Sequence, residues 1–174
     1  MAKTKKALKT VKDGLGRGLR QELKKLLDGG HAHATFDAAV KEMPVKLRGV
    51  APEGLPYSAW QIVEHIRLAQ RDILDFSRNG DGSYMPRKWP QEYWPKQAAP
   101  PNAGAWSKSI KDIRTDRLAF EKLLKKASDE ELVRPFAWGE GQTLLREALL
   151  IADHMAYHVG ELIVLRRLLG AWKT

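Results

Sequence analysis

Apolar residues recur at helical spacing in four long segments of the chain, which cover residues 15–27, 59–77, 106–127 and 142–169. A spacing of three or four residues places apolar side chains on one face of a helix. No segment shows the strict alternation of polar and apolar residues that is typical of strands, and no internal repeat is visible. We therefore predict an all-α fold, a four-helix bundle with additional short elements.

Capping residues and turns mark the ends of these helices. Ser58 and Gln61 have the spacing of a capping box, which predicts that the second long helix begins just after Ser58. A Gly pair after Asp28 is expected to stop the first helix. Thr35 is suited to cap a short additional helix over residues 36–43, before the main part of the bundle.

A long connection, residues 79–105, joins the second and third main helices and is rich in proline and aromatic residues. Connections of this length in compact domains are usually functional or disordered, and the aromatic content favours an ordered one. Two interpretations stay open: a crossover that only spans the bundle, and a lid over a site. The aromatic residues are Tyr84, Trp89, Tyr93 and Trp94.

The composition fits one globular domain in a reducing compartment. With 174 residues, 43% of them hydrophobic, and six Trp, the chain can bury a sizeable core. It contains no cysteine, which excludes disulfides, thiolate metal ligands and a cysteine nucleophile, and agrees with a cytoplasmic location. The N-terminus has no apolar signal-peptide segment. Charged residues interrupt the apolar last helix, so we expect no membrane span.

Most of the positive charge lies in the first 25 residues. They hold nine Lys or Arg against two acidic residues, which accounts for +7 of the formal net charge of +9. We interpret residues 1–14 as a basic flexible tail and residues 15–174 as a single helical bundle domain. Because the tail has no aromatic residues for base stacking, we expect at most weak nucleic-acid contacts from it.

The last helix carries the clearest candidate chemistry, an H-x3-H pair formed by His154 and His158. Residues four apart on a helix point the same way, and two imidazoles placed like this can bind one divalent metal. Glu147 and Glu161 lie on the same helix face. The zinc-protease motif is absent, because Met155 stands where that motif needs glutamate. Two ligands do not complete a site.

A third ligand has to come from elsewhere in the chain. His65 lies in the middle of the second main helix, where it is either a ligand or a hydrogen-bonded core residue. His31 and His33 follow the Gly pair in a turn-like segment, and their spacing of two residues would not align them on a helix. We interpret these two as loop histidines. The residues alone leave the choice of third ligand open.

The order of these residues resembles the DinB-like (YfiT-like) superfamily of metal-binding four-helix bundles. The resemblance rests on residues 60–66 and 153–162 and on the Leu-Pro-x-Ser-x-Trp pattern at residues 55–60. It extends from about residue 15 to the C-terminus and implies a DinB-like bundle for residues 15–174. By this resemblance, the metal ligands are His65, His154 and His158.

Glu161 departs from the family pattern, because relatives commonly carry Gln at this place. A carboxylate one turn beyond His158 would act as the catalytic base beside the metal or join its ligands. The alternative is an ion pair with a nearby arginine, for example Arg117. Glu147 is a weaker candidate for the first two roles.

The resemblance implies a metal site with open coordination positions, because three protein ligands leave room for a substrate. Imidazole ligands favour transition metals, and we expect zinc or nickel. Family members with known activities use low-molecular-weight thiols such as bacillithiol or mycothiol, so a thiol S-transferase is the first hypothesis. The alternatives are a metal-dependent hydrolase and a non-catalytic metal-binding stress or scaffold protein. The expected partner is a small-molecule substrate, with a homodimer left open.

Overall fold

The computed structural model describes the backbone of residues 2–30 and 32–172 and the side chains of residue 14 and of residues 16–30 and 32–172. Over this part of the chain it contains six α-helices and no β-strand, which confirms the all-α prediction. The helices are α1 (Ala2–Leu27), α2 (Phe36–Val40), α3 (Ala59–Ser77), α4 (Ala105–Lys126), α5 (Asp129–Val133) and α6 (Leu144–Leu168).

The four long helices form the bundle. Helix α3 packs against α4 and α6, and α1 closes the bundle by packing against the same two helices. The two short helices, α2 and α5, pack against α6. Helix α6 therefore packs extensively against α1, α2, α3 and α5, so side chains from several elements can meet on its surface.

Two helices begin directly after the capping residues that the sequence predicted, Thr35 and Ser58. The Ser58 hydroxyl accepts from the Gln61 backbone N–H at 3.2 Å, and the Gln61 side chain accepts from the Ser58 N–H at 3.1 Å. This confirms the capping box at the start of α3. Thr35 caps α2, which ends at Val40, three residues before the predicted end. The backbone leaves the helical conformation there, and Glu42 follows with a φ of 54°.

The first helix is longer than its apolar pattern indicated. The sequence predicted a start near Leu15, whereas the backbone of α1 is helical from Ala2. The lysine side chains of the N-terminal segment lie outside the described residues. The basic flexible tail at residues 1–14 therefore stays a prediction.

Two apolar clusters fill the bundle, and polar contacts lie between them. One cluster joins α2 to the first halves of α3 and α4 and the second half of α6, and the other joins α1 and α5 to the remaining halves. At the junction Gln70 donates to the Ile113 carbonyl at 2.7 Å. Arg71 pairs with the buried Asp116 at 2.5 Å. The site described below lies where α3 meets α6.

Helix α6 is long and apolar enough, by length and composition alone, to cross a membrane. The core helix of a globular bundle passes the same test, and α6 buries ten residues within the fold, including Glu147, His158 and Arg166. The buried Arg166 guanidinium donates to the carbonyls of Ala39 and Ala171 at 2.7 Å each. The length and composition of α6 are therefore not evidence that this helix crosses a membrane.

Candidate metal centre

The structure brings together the three histidines that the sequence singled out. His65 comes from α3, and His154 and His158 come from successive turns of α6. The Nε2 atom of His154 lies 3.0 Å from Nε2 of His65, a residue 89 positions away in the chain. It lies 3.1 Å from Nε2 of His158. One ring nitrogen from each residue falls within 4.8 Å of the other two, so the group can hold one metal ion.

These separations suit three ligands of a single ion. Two nitrogens that each lie about 2.0–2.1 Å from a metal are about 2.8–3.0 Å apart at a right angle and about 3.3–3.4 Å apart at a tetrahedral angle. The two Nε2–Nε2 distances, 3.0 and 3.1 Å, fall within that range. Three ligands on one side of an ion leave further coordination positions open, as in catalytic zinc sites.

Hydrogen bonds at the opposite ring nitrogens orient two of the imidazoles. Nδ1 of His65 donates to the backbone carbonyl of Tyr93 at 2.9 Å. Nδ1 of His158 donates to the Glu161 carboxylate at 2.6 Å. A neutral imidazole that donates from Nδ1 carries its lone pair on Nε2. Both lone pairs therefore point at the shared centre, and the outer partners are of the kind that fix metal-binding histidines.

Burial keeps the three imidazoles neutral. It lowers the pKa of His154 to about 3 and that of His158 to about 4, with help from the neighbouring histidines. Burial also lowers the pKa of His65. At neutral pH the three rings are therefore uncharged. Nε2 of His65 and Nε2 of His158 direct lone pairs at the centre, and Nε2 of His154 lies within 3.1 Å of both, an arrangement that a cation between them would stabilise. The residues fit a divalent transition metal.

Aromatic rings from the crossover and from the segment just before α3 stack on the His65 imidazole. The Trp94 ring stacks on it, with centroids 3.9 Å apart and an interplanar angle of 3°. Tyr57 stacks in turn on Trp94, with centroids 3.8 Å apart. The sequence analysis counted Trp94 among the crossover aromatics but assigned neither ring to the site. These stacked rings cover one face of the His65 imidazole, which is 3% exposed.

Two further aromatic rings lie beside the histidines but remain open to solvent. The Trp89 side chain is 69% exposed, with its ring centroid 6.5 Å from that of His65. Tyr157 is 65% exposed and lies edge-on to His158, with centroids 5.0 Å apart. Large exposed aromatic surfaces next to convergent polar groups are the usual lining of a small-molecule site.

Several hydrogen bonds hold the crossover, residues 79–105, against α3. The Tyr93 hydroxyl donates to Asp72 at 2.6 Å, and the Tyr84 hydroxyl donates to the same carboxylate at 3.1 Å. Burial and this carboxylate raise the pKa of Tyr84 to about 12, which keeps its hydroxyl protonated. Gln61 donates to the Pro95 carbonyl at 3.4 Å. The connection therefore does more than span the bundle, because it supplies the carbonyl that orients His65.

Glu161 contacts the cluster from behind His158. Its carboxylate bonds Nδ1, the ring nitrogen opposite the one that faces the other histidines. Its side chain is 32% exposed, and its pKa is raised, chiefly by burial. The arginine considered as its alternative partner, Arg117, pairs instead with Asp28 at 2.5 Å and with Glu121 at 3.8 Å.

The remaining candidates lie apart from the three-histidine group. Glu147 is buried and pairs with Arg146 at 2.7 Å. His33 is exposed, and its Nδ1 bonds the neighbouring Ala34 carbonyl at 2.8 Å, as expected of a loop histidine. His31 lies outside the described residues.

Comparison with known proteins gives one match. A family model described as the DinB superfamily matches residues 30–162, which is more than half of the chain. The matched span contains all three histidines of the cluster together with the crossover. No curated protein and no solved structure matches the chain.

Proposed function

This chain belongs to the DinB superfamily, and we propose that it is a metal-dependent enzyme that transfers an organic group onto the sulfur of a thiol. The observation that carries the proposal is the convergence of three neutral imidazoles beside exposed aromatic rings. His65, His154 and His158 would hold zinc or nickel. A divalent ion bound there supplies one kind of chemistry, which is to lower the pKa of a thiol and favour the nucleophilic thiolate.

Each part of the site then has a defined task. The carbonyl of Tyr93 and the carboxylate of Glu161 orient the imidazoles through Nδ1. Trp89 and Tyr157 offer exposed aromatic surface for the carbon skeleton of a small substrate. The stacked Trp94 keeps water away from His65 and limits competing hydrolysis.

The proposed reaction balances without an oxidant or reductant. A thiol R–SH reacts with an electrophile R′–X, and a new S–C bond forms as the C–X bond breaks. The leaving group X takes the bonding electron pair. The thiol proton goes to solvent or to X.

Hydrolysis is the second candidate, because Glu161 is the carboxylate in contact with the cluster. Its raised pKa would suit a general base. Its hydrogen bond to the outer nitrogen of His158 argues for an orienting role instead, since that contact directs the carboxylate away from the Nε2 atoms. Thiol transfer needs no such base and is therefore the better-supported proposal.

The test begins with metal analysis of protein purified without an affinity tag. The metal-loaded protein is then assayed with 1-chloro-2,4-dinitrobenzene and a series of small thiols, and with activated esters in the absence of thiol. Turnover that requires both thiol and metal supports the proposal, and His154→Ala should abolish it while His33→Ala should not. Ester hydrolysis without thiol would favour the hydrolase. Metal binding with no turnover on any electrophile would favour a non-catalytic protein.

A further inference from the structure

A second cavity lies at the other end of the bundle from the three histidines. It has a volume of about 450 Å³ and is lined by the last turns of α3 and α4, the start of α6, and the loop that joins α5 to α6. Its lining residue Ser77 follows His65 by twelve residues on α3, and Leu144 precedes His154 by ten residues on α6. At 1.5 Å per residue the cavity is about 15–18 Å along the bundle from the metal centre. It is therefore a separate site.

The walls of this cavity are apolar and partly aromatic. Phe136 and Trp138 both line it, and their rings are stacked on one another with centroids 5.0 Å apart and an interplanar angle of 13°. Leu123 and Leu144 add aliphatic surface. Because Trp138 is 38% exposed, flat aromatic surface is open to a ligand. A cavity of several hundred Å³ with mostly apolar walls is the usual form of a small-molecule site.

The loop that carries the two aromatic rings, residues 134–143, is tightly packed. The Trp138 indole N–H donates to the Phe76 carbonyl at 2.9 Å, and the Phe136 backbone N–H donates to the Gln142 carbonyl at 2.8 Å. A Cβ at Gly139 would lie 2.6 Å from the Gln142 side chain and 3.2 Å from the Phe76 ring, so the backbone approaches both closely. The loop therefore presents its rings in a fixed arrangement, which lowers the conformational entropy that ligand binding costs.

The charged side chains that line the cavity sum to +1, from Lys126 and Arg134 against Glu131. The Glu131 carboxylate accepts from the Ser128 backbone N–H at 2.7 Å as part of the capping box of α5. Arg134 pairs with Glu130 at 2.8 Å. Both of these lining charges thus already have partners within the fold.

Lys126 is the lining charge that is left for a ligand. It forms no ion pair with any side chain that the structure describes. It is also not needed to cap α4, because Arg20 donates to the Leu124 carbonyl at 3.1 Å and to the Ala127 carbonyl at 2.6 Å. An ammonium group beside apolar walls favours an anionic group on an otherwise apolar ligand.

We propose that this cavity binds a small planar aromatic carboxylate. Its ring would pack against the Phe136 and Trp138 rings, since flat aromatic groups gain from stacked contact beyond the area that they bury. Its carboxylate would face Lys126. The inference concerns neither the metal nor the chemistry at the three histidines, so it does not depend on the proposed function.

Isothermal titration calorimetry of the metal-loaded full chain with naphthalene-2-carboxylate tests the proposal. For a ligand of about thirteen non-hydrogen atoms in such a cavity, we expect a Kd between about 0.1 and 1 mM at low ionic strength. Naphthalene-2-carboxamide has nearly the same shape without the charge. It should bind more weakly than the carboxylate.

Reversing the charge of Lys126 tests the role of the ammonium group. Lys126→Glu should weaken binding of the carboxylate by at least about fivefold and change binding of the carboxamide by less than about twofold. Lys125→Glu is the matched control, because Lys125 is exposed in the same turn of α4 and does not line the cavity. It should bind the carboxylate within about twofold of wild type.

Replacing Trp138 tests the aromatic wall independently of charge. Trp138→Ala should weaken binding of both probes by about tenfold, because it removes the exposed ring. Trp138→Phe keeps a ring but loses the hydrogen bond to Phe76, and it should bind both probes within about threefold of wild type. Circular dichroism and metal content check that each variant keeps its fold.

A carboxylate can also bind a metal ion, and His154→Ala separates the two sites. This variant lacks a proposed metal ligand, yet it should bind naphthalene-2-carboxylate within about twofold of wild type. Loss of binding in His154→Ala would overturn the proposal in favour of the metal centre. So would a wild type that binds neither probe at about 5 mM, equal weakening in Lys125→Glu and Lys126→Glu, or full affinity in Trp138→Ala.

Discussion

Replacing Glu161 separates an orienting role from a catalytic one. The carboxylate accepts a hydrogen bond from Nδ1 of His158 at 2.6 Å, and hydrogen bonds to a charged acceptor are about twice as strong as neutral ones. Removing an outer partner of a metal-binding histidine typically lowers metal affinity by about 10–100-fold. Because the Glu161 side chain is 32% exposed, water replaces part of the lost interaction, and the low end of that range applies.

We therefore expect Glu161→Ala to weaken metal binding by about tenfold. Glu161→Gln should have a smaller effect, because its amide oxygen can still accept from Nδ1. Competition with a chromophoric chelator measures the affinity, and circular dichroism shows that the helices are intact. Glu130→Ala is a suitable control, because Glu130 is an exposed carboxylate on α5 that pairs with Arg134 and not with a histidine.

The rate of the metal-loaded variants completes this test. In a thiol transferase, Glu161→Gln should change the rate only mildly once the metal site is saturated. In a hydrolase, loss of the general base should reduce the rate by about 10²–10⁴-fold. Unchanged metal affinity in Glu161→Ala would refute the orienting role. A loss of a hundredfold or more in metal-saturated Glu161→Gln would make hydrolysis the preferred reaction.

Three further predictions concern the stability of the protein and of the site. Burial lowers the pKa of His158 from its ordinary 6.5 to about 4, so the metal-free protein should lose stability as the pH falls from 6.5 towards 4. Urea titrations should show that the free energy of unfolding of the wild type falls more steeply than that of His158→Gln, by up to about 1.4 kcal/mol per pH unit. Tyr93→Phe removes the bond to Asp72 and should cost about 1–2 kcal/mol in urea unfolding and lower metal affinity severalfold. Deletion of residues 1–14 should leave the melting temperature nearly unchanged and weaken any nucleic-acid binding, which should itself be steeply salt-sensitive.

The features of the site that come from local periodicity could be predicted from the sequence. His154 and His158 had to share a helix face, because they lie four residues apart in a segment without proline. The same logic located Ser58 at the start of α3 and so fixed the turn of α3 that carries His65. Each of these inferences needs only the geometry of one helix and its cap.

The features that depend on packing between distant segments could not be predicted. Every residue except proline offers the same backbone N–H and C=O groups, so nothing in the sequence marks the Tyr93 carbonyl as the partner of His65. The stacking of Trp94 on that ring depends on the path of the whole crossover. The side-chain rotamer that directs Glu161 to Nδ1 of His158, and not towards the three Nε2 atoms, is likewise fixed only in the folded bundle.

Metal content of His65→Ala, purified without an affinity tag, tests the central claim most directly. His65 belongs to α3, so its loss affects metal binding only if the two helices share one ion. We predict about one divalent ion per chain in wild type and in the control His33→Ala, and a large loss in His65→Ala with its helical circular dichroism retained. Full metal occupancy in His65→Ala would contradict the three-histidine site.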